Sequence, residues 1–207
     1  MRIIFFKTMP LDYYQGMEHE HTRPHNGGKY VKEHGDGHEA YNFESVPFND
    51  GKEYCLGFVE AKSTNGKDIN QLHIERLGEG VGKYDHEAED VLVVWCTTPE
   101  EERNKPVVVG LYKHATVYRR YEDFEFDNGY IQSYSCIAEV TDCVLLPTAE
   151  RHDKKWRAPV AKKQGYGFGQ SLVWYADKGT EDEAKYIDAL VKNISEYTGE
   201  NWIDKFK

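Results

Sequence analysis

The sequence has no apolar run approaching the ~20 residues that a membrane-crossing helix needs. Its opening, MRIIFFKTMP, lacks the longer apolar stretch and the small-residue cleavage site of a signal peptide. A cytoplasmic protein without a membrane partner is therefore expected. There are only four cysteines, Cys55, Cys96, Cys136 and Cys143, and no C-x-x-C pair. That spacing excludes a zinc ribbon and gives no disulfide framework, so reduced, buried thiols are expected. Positive charge is also in deficit. The chain carries 26 bases against 36 acids, a net charge of −10, which by itself argues against a surface that wraps phosphate backbones. No G-x-S-x-G, phosphate-binding loop or H-E-x-x-H is present, and no internal repeat or low-complexity segment. The His and Asn of an HNH-type ββα-metal hairpin cannot be placed either.

What is present is length, aromatic mass and strand-like patterning. The 207 residues suffice for one sizeable core and are marginal for two. Fifteen tyrosines, nine phenylalanines and four tryptophans suit a β-rich core, a stacking surface, or both. Strand candidates follow one another: RIIFFK, YNFESVPF and EYCLGFVEA around Asn49-Asp50-Gly51, INQLHIERL, DVLVVWCTT, PVVVGLYKHATVYRRYEDF, GYIQSYSCIAEV and CVLLP. DVLVVWCTT is almost uniformly apolar and predicts a strand buried on both faces. The long stretch from Pro106 reads as one strand, or as two kinked at Gly110.

The C-terminal end differs. Thr180 and Glu183 form a capping-box pattern, and Ala184, Ile187, Leu190, Val191, Ile194 and Tyr197 share one helical face up to Gly199. Strands in succession followed by one helix predict an α+β fold or a barrel, not a doubly wound sheet. The expected organisation is a β-rich unit over residues 1–177 with the 178–207 helix packed on it.

Three segments carry candidate chemistry. HEHTRPH brings His19, His21 and His25 together, near His34 and His38. Imidazoles suit transition metals, yet the spacing matches no strong motif, so a solvated loop competes with a metal site. In GGKYVKEHGDGHEAYNF, glycines surround Tyr30, His38, Tyr41, Asn42 and Phe43. Such a loop lets backbone approach a ligand closely, with rings to stack on a base and polar groups to read its edge; a plain surface loop is the alternative. Arg151–Lys163, RHDKKWRAPVAKK, holds six bases and one acid around Trp156. It offers phosphate contacts beside an aromatic, as does the exposed-looking stretch from Lys162 to Gly169. GLYKHATVYRR is ambiguous. By the period of two, Tyr112, His114, Thr116 and Tyr118 share one face and Lys113 and Arg119 the other, unless Gly110 marks a bulge. It is either an amphipathic strand or a pocket wall.

GGKYVKEHGDGHEAYNF, VLVVWCTT…VVVGLYKHATVYRR and GQSLVWYAD together resemble the modified-base-sensing domain of modification-dependent (type IV-like) restriction systems. RIIFFKTMP, LGFVE and VLVVW resemble the EVE/YTH branch of the PUA-like folds. The resemblance spans most of residues 1–177. It implies a small twisted mixed β-barrel of PUA-like type with peripheral helices and a C-terminal amphipathic helix. It also implies a non-catalytic reader without cofactor or metal, binding DNA with a modified base (RNA in second place) by flipping that base into an aromatic pocket. The implied partner is a nuclease or NTPase effector in phage defence. The expected base pocket is Tyr30, His38, Tyr41, Asn42, Phe43, Trp95, Tyr112 and His114. The expected phosphate contacts are Lys113, Arg119, Arg120, Lys154, Lys155, Arg157, Lys162 and Lys163. One departure stands out. Leu111-Tyr112-Lys113-His114 replaces the Trp-Tyr-Lys-Asn expected after Gly110, so another aromatic must supply that wall. The rival readings are a metal-dependent nuclease or hydrolase using the His-rich loop, and an acidic interaction or decoy module.

Overall fold

The computed structural model describes residues 1–16, 37–61, 71–99, 102, 105–127 and 129–205. Its strands are β1 (Arg2–Lys7), β2 (Ser45–Pro47), β3 (Glu53–Gly57), β4 (Glu87–Thr97), β5 (Val107–Glu125), β6 (Ile131–Glu139), β7 (Cys143–Leu145) and β8 (Val173–Trp174). The helices among the described residues are α1 (Thr148–Arg151), α2 (Ala161–Gln164) and α3 (Glu181–Ser195). The fold is α+β. All eight strands join one sheet in the order β2-β3-β6-β5-β4-β1-β8, with β7 added on β5. Among the described strands, only β1 and β4 pair in parallel.

The sheet is not closed, so the expected barrel is not formed. β2 and β8 end the path. They are three and two residues long, and β2 ends on Pro47, which has no N–H to donate. Such edges stop the sheet from propagating.

The sheet is buried on both faces, which explains its continuous apolar strands. One face takes Ile4, Phe6, Val93, Trp95, Val109 and Tyr112. The other takes Ile3, Phe5, Leu92, Val94, Cys96 and Leu111, and α3 covers it with Leu190 and Ile194. All four cysteines are buried and unbridged. The start of α3 matches its capping pattern. Thr180 Oγ1 accepts from the Glu183 N–H at 3.3 Å, and Glu183 returns a bond to the Gly179 N–H at 2.8 Å. Ala184 lies outside, however, while Glu183 itself is 2% exposed.

Two sequence expectations fail locally. The described part of INQLHIERL is not a strand: Ile74–Leu77 is a single 3-10 turn that buries Ile74 and Leu77. Residues three apart in a 3-10 turn share a face, so one turn serves both side chains. The basic segment around Trp156 is not an exposed aromatic loop. It folds as α1, a 3-10 turn over Lys154–Trp156, and α2, and Trp156 is fully buried edge-on to Tyr197 at 5.7 Å. The lysines beside it face water because an indole buries far more apolar area than an ammonium stem loses.

Candidate nucleic-acid interface

Three of the five Tyr, Phe and Trp rings expected to line a pocket fill the core instead. Phe43, Trp95 and Tyr112 are each 0% exposed. Phe43 lies 5.3 Å from Tyr112 and 6.5 Å from Trp95, and Trp95 lies 5.5 Å from Tyr112, all edge-to-face. Glycine backbone closes around them. A Cβ on Gly57 would sit 2.4 Å from the Trp95 ring, and one on Gly110 would sit 2.4 Å from the Phe43 ring. No base enters this space without displacing a ring. Burial drives the Tyr112 phenol well above its ordinary pKa, and neither its hydroxyl nor the Trp95 indole N–H has a hydrogen-bond partner among the described residues. Asn42 is committed to backbone. Its amide donates to Phe58 O at 3.2 Å and accepts from Phe58 N–H at 2.8 Å, so it pins the 38–43 segment to the residue just after β3 rather than reading a base edge.

His38 and Tyr41 do come together, on a band of half-buried aromatics. The His38 ring lies 5.1 Å from Phe58 and 6.4 Å from Tyr130, and Tyr41 lies 5.9 Å from Tyr130. Between them sits Glu39, whose carboxylate accepts from the Met9 N–H at 2.7 Å and the Thr8 hydroxyl at 3.2 Å. Burial outweighs these hydrogen bonds and pushes the Glu39 carboxyl up to about 7. Tyr30 and the histidines at 19, 21, 25 and 34 lie outside the described residues.

β5 explains the remaining displacements. Three register shifts interrupt its pairing with β4: one beside Gly110, between Trp95 and Cys96, and two facing bulges, an extra residue in β4 at Asp90 and one in β5 at His114. Asp90 and His114 adopt positive φ, 54° and 49°. The bulge turns His114 outward, away from Tyr112, where its Nδ1 lies 2.7 Å from Asp90 Oδ1. The two-residue period breaks here, so Ala115 and Val117 become the buried positions. Lys113 is half-buried on the same stretch.

A larger irregularity follows. Between the pairs Val117–Cys136 and Glu122–Tyr134, residues Tyr118–Tyr121 of β5 face Ser135 alone. This wide bulge parts β5 from β6, and Arg119 and Arg120 within it line an open cleft of about 460 Å³. Two further segments line it, Gln71, His73 and Glu75 from one and Lys83, Tyr84, Asp85 and His86 from the other. Tyr84 is 92% exposed, the most exposed of the large rings described. Arg119 is not available to a ligand. Its Nη1 meets Glu75 Oε2 at 2.6 Å, Nη2 donates to Gly82 O at 2.9 Å and Nε to Asp85 O at 2.7 Å. Burial raises the Glu75 carboxyl, but the Arg119 bond overrides it and leaves the group below the ordinary carboxylate range. Lys83 and Arg120 are exposed and form no ion pair among the described residues. The sequence reading missed Tyr84 and Lys83. The signal was there: GEGVGKYDH is a glycine-rich turn that presents a tyrosine with no apolar neighbour.

The other expected phosphate contacts divide. Arg157 is engaged bidentately by Glu102 at 2.6 and 3.0 Å, and its hydrogen bonds hold the Glu102 carboxyl down to about 2. Lys155 lies 3.7 Å from both Glu150 and Asp153. Lys154, Lys162 and Lys163 are exposed. The chain as a whole matches no family model, no curated protein and no solved structure.

Proposed function

We propose that the protein is a binding module that reads a modified base in DNA, and that the extruded base enters the cleft beside Tyr84. The observation that carries this reading is an almost fully exposed tyrosine lining, with the exposed cations Lys83 and Arg120, a cleft of about 460 Å³; neither cation forms an ion pair among the described residues. Extrusion costs a few kcal/mol, and stacking on an aromatic ring returns about 1–3 kcal/mol per base. Edge contacts must supply the rest, and Gln71 and His73 line the same cleft to do so. The PUA-like reading of the fold belongs with this proposal. So does a role as a cytoplasmic sensor that hands the signal to a separate effector.

The acidic balance sets a limit that supports a small footprint. If Lys83 and Arg120 are the cations that meet phosphates, log affinity against log salt has a slope of about −2. The test is equilibrium binding across a salt series to duplexes bearing methylated, hydroxymethylated or unmodified bases. Wild type should prefer one modified duplex with that shallow slope. Tyr84→Ala should weaken the preference about tenfold or more, in line with the loss of one stack. Equal affinity for every duplex at all salts would sink the reading.

A further inference from the structure

We propose that Arg119 is a positioning residue: it builds the wall that carries Tyr84 and does not itself meet phosphate. This rests on the reading of the cleft given above. The 82–86 segment has no strand or helix to hold it. It has instead a single tight turn, in which Gly82 N–H donates to Asp85 Oδ2 at 2.6 Å and Asp85 N–H donates to Gly82 O at 3.2 Å.

Arg119 docks that turn. Its guanidinium caps both turn carbonyls, Gly82 O and Asp85 O, while its third donor is held by Glu75. Its backbone adds two more ties, from Arg119 N–H to His86 O at 2.8 Å and from Leu72 N–H to Arg119 O at 2.7 Å. One residue thus joins both lining segments of the cleft to β5. The side chain is 12% exposed, which suits a scaffold and not a phosphate contact. Only the planar fork of arginine spans three acceptors in these directions; an ammonium is a point donor. Tyr84, between the two capped carbonyls, is therefore held ready outside the fold rather than collapsed against it, and the ordering cost of binding falls.

Two variants test this, Arg119→Lys and Glu75→Gln, each checked first for wild-type exchange at the core amides of β4. In the free protein, amide exchange at Gly82 and Asp85 should accelerate about tenfold or more, because those amides are protected only while the turn stays docked. With the preferred modified duplex, the ratio of modified to unmodified affinity should fall, while the slope against salt stays at its wild-type value. Unchanged exchange at Gly82 and Asp85 overturns the proposal. So does a slope shallower by about one unit, which is the mark of a lost phosphate contact. Faster exchange with an unchanged affinity ratio also overturns it, by uncoupling the turn from recognition. Should wild type bind no duplex at all, the nucleic-acid reading falls, and the exchange measurement still decides whether Arg119 holds the wall.

Discussion

Asp90 and His114 face each other in opposed bulges, both at positive φ, with their side chains hydrogen-bonded at 2.7 Å. Two non-glycine residues in the left-handed region cost about 1–2 kcal/mol each, and both side chains are exposed, so their hydrogen bond returns little of it. The pairing keeps the two bulges in register, since each strand gains one residue and the flanking pairs realign. His114→Gly should therefore change stability by less than about 0.5 kcal/mol, because glycine accepts the backbone and loses only a surface contact. His114→Val should cost about 1–2 kcal/mol, as a β-branched side chain resists positive φ. Denaturant unfolding of the two variants decides; equal costs would mean that backbone conformation is not what the site demands.

Glu39 makes stability depend on pH near neutrality. Folded, it keeps its proton to about pH 7, whereas its ordinary value is 4.5. Between those values the folded state binds more protons than the unfolded state, so this group's contribution falls as pH rises and levels off above 7. Full burial would make the loss about 3 kcal/mol, and the residue's exposed edge reduces it toward about 1 kcal/mol. Glu39→Gln keeps the polar shape without the charge. Unfolding free energies measured from pH 4.5 to 8 should show the wild-type minus variant difference falling over that window; a flat difference would assign Glu39 an ordinary titration.

Leu190 is 1% exposed and packs α3 on the second face of the sheet. Leu190→Ala should cost about 2–5 kcal/mol, with duplex affinity unchanged once the protein is folded. A variant that lost affinity at an unchanged melting temperature would make α3 a binding helix.

Trp156 and Lys154 are neighbours with opposite expected roles. Trp156→Ala removes a fully buried indole and should cost about 3–5 kcal/mol. Lys154→Ala should leave stability within about 0.5 kcal/mol, being an exposed surface change. Thermal melting separates them, and comparable losses for the two would contradict the burial of Trp156.

The strand series, the doubly buried β4, and the capped α3 with Leu190 and Ile194 inside were legible in the sequence. Hydrophobic periodicity and capping chemistry are local, and the core honours them. The site was not legible in the same way. Phe43, Trp95 and Tyr112 are aromatic in any setting, and nothing local says whether three rings pack on one another or leave room for a guest. Their mutual distances follow from long-range pairing and from Gly57 and Gly110, which let the backbone close in. His114 and Arg119 were assigned faces by a period of two, with a bulge at Gly110 as the exception. A register shift does fall beside Gly110, and two further bulges, with partners as distant as Asp90 and His86, break the period at His114 and over Tyr118–Tyr121. A bulge adds residues to one strand, one at His114 and three over Tyr118–Tyr121, and its place is set by the register of the strand beside it. Composition therefore determined that rings and cations would be present, while only the tertiary pairing decided which ones face the solvent together.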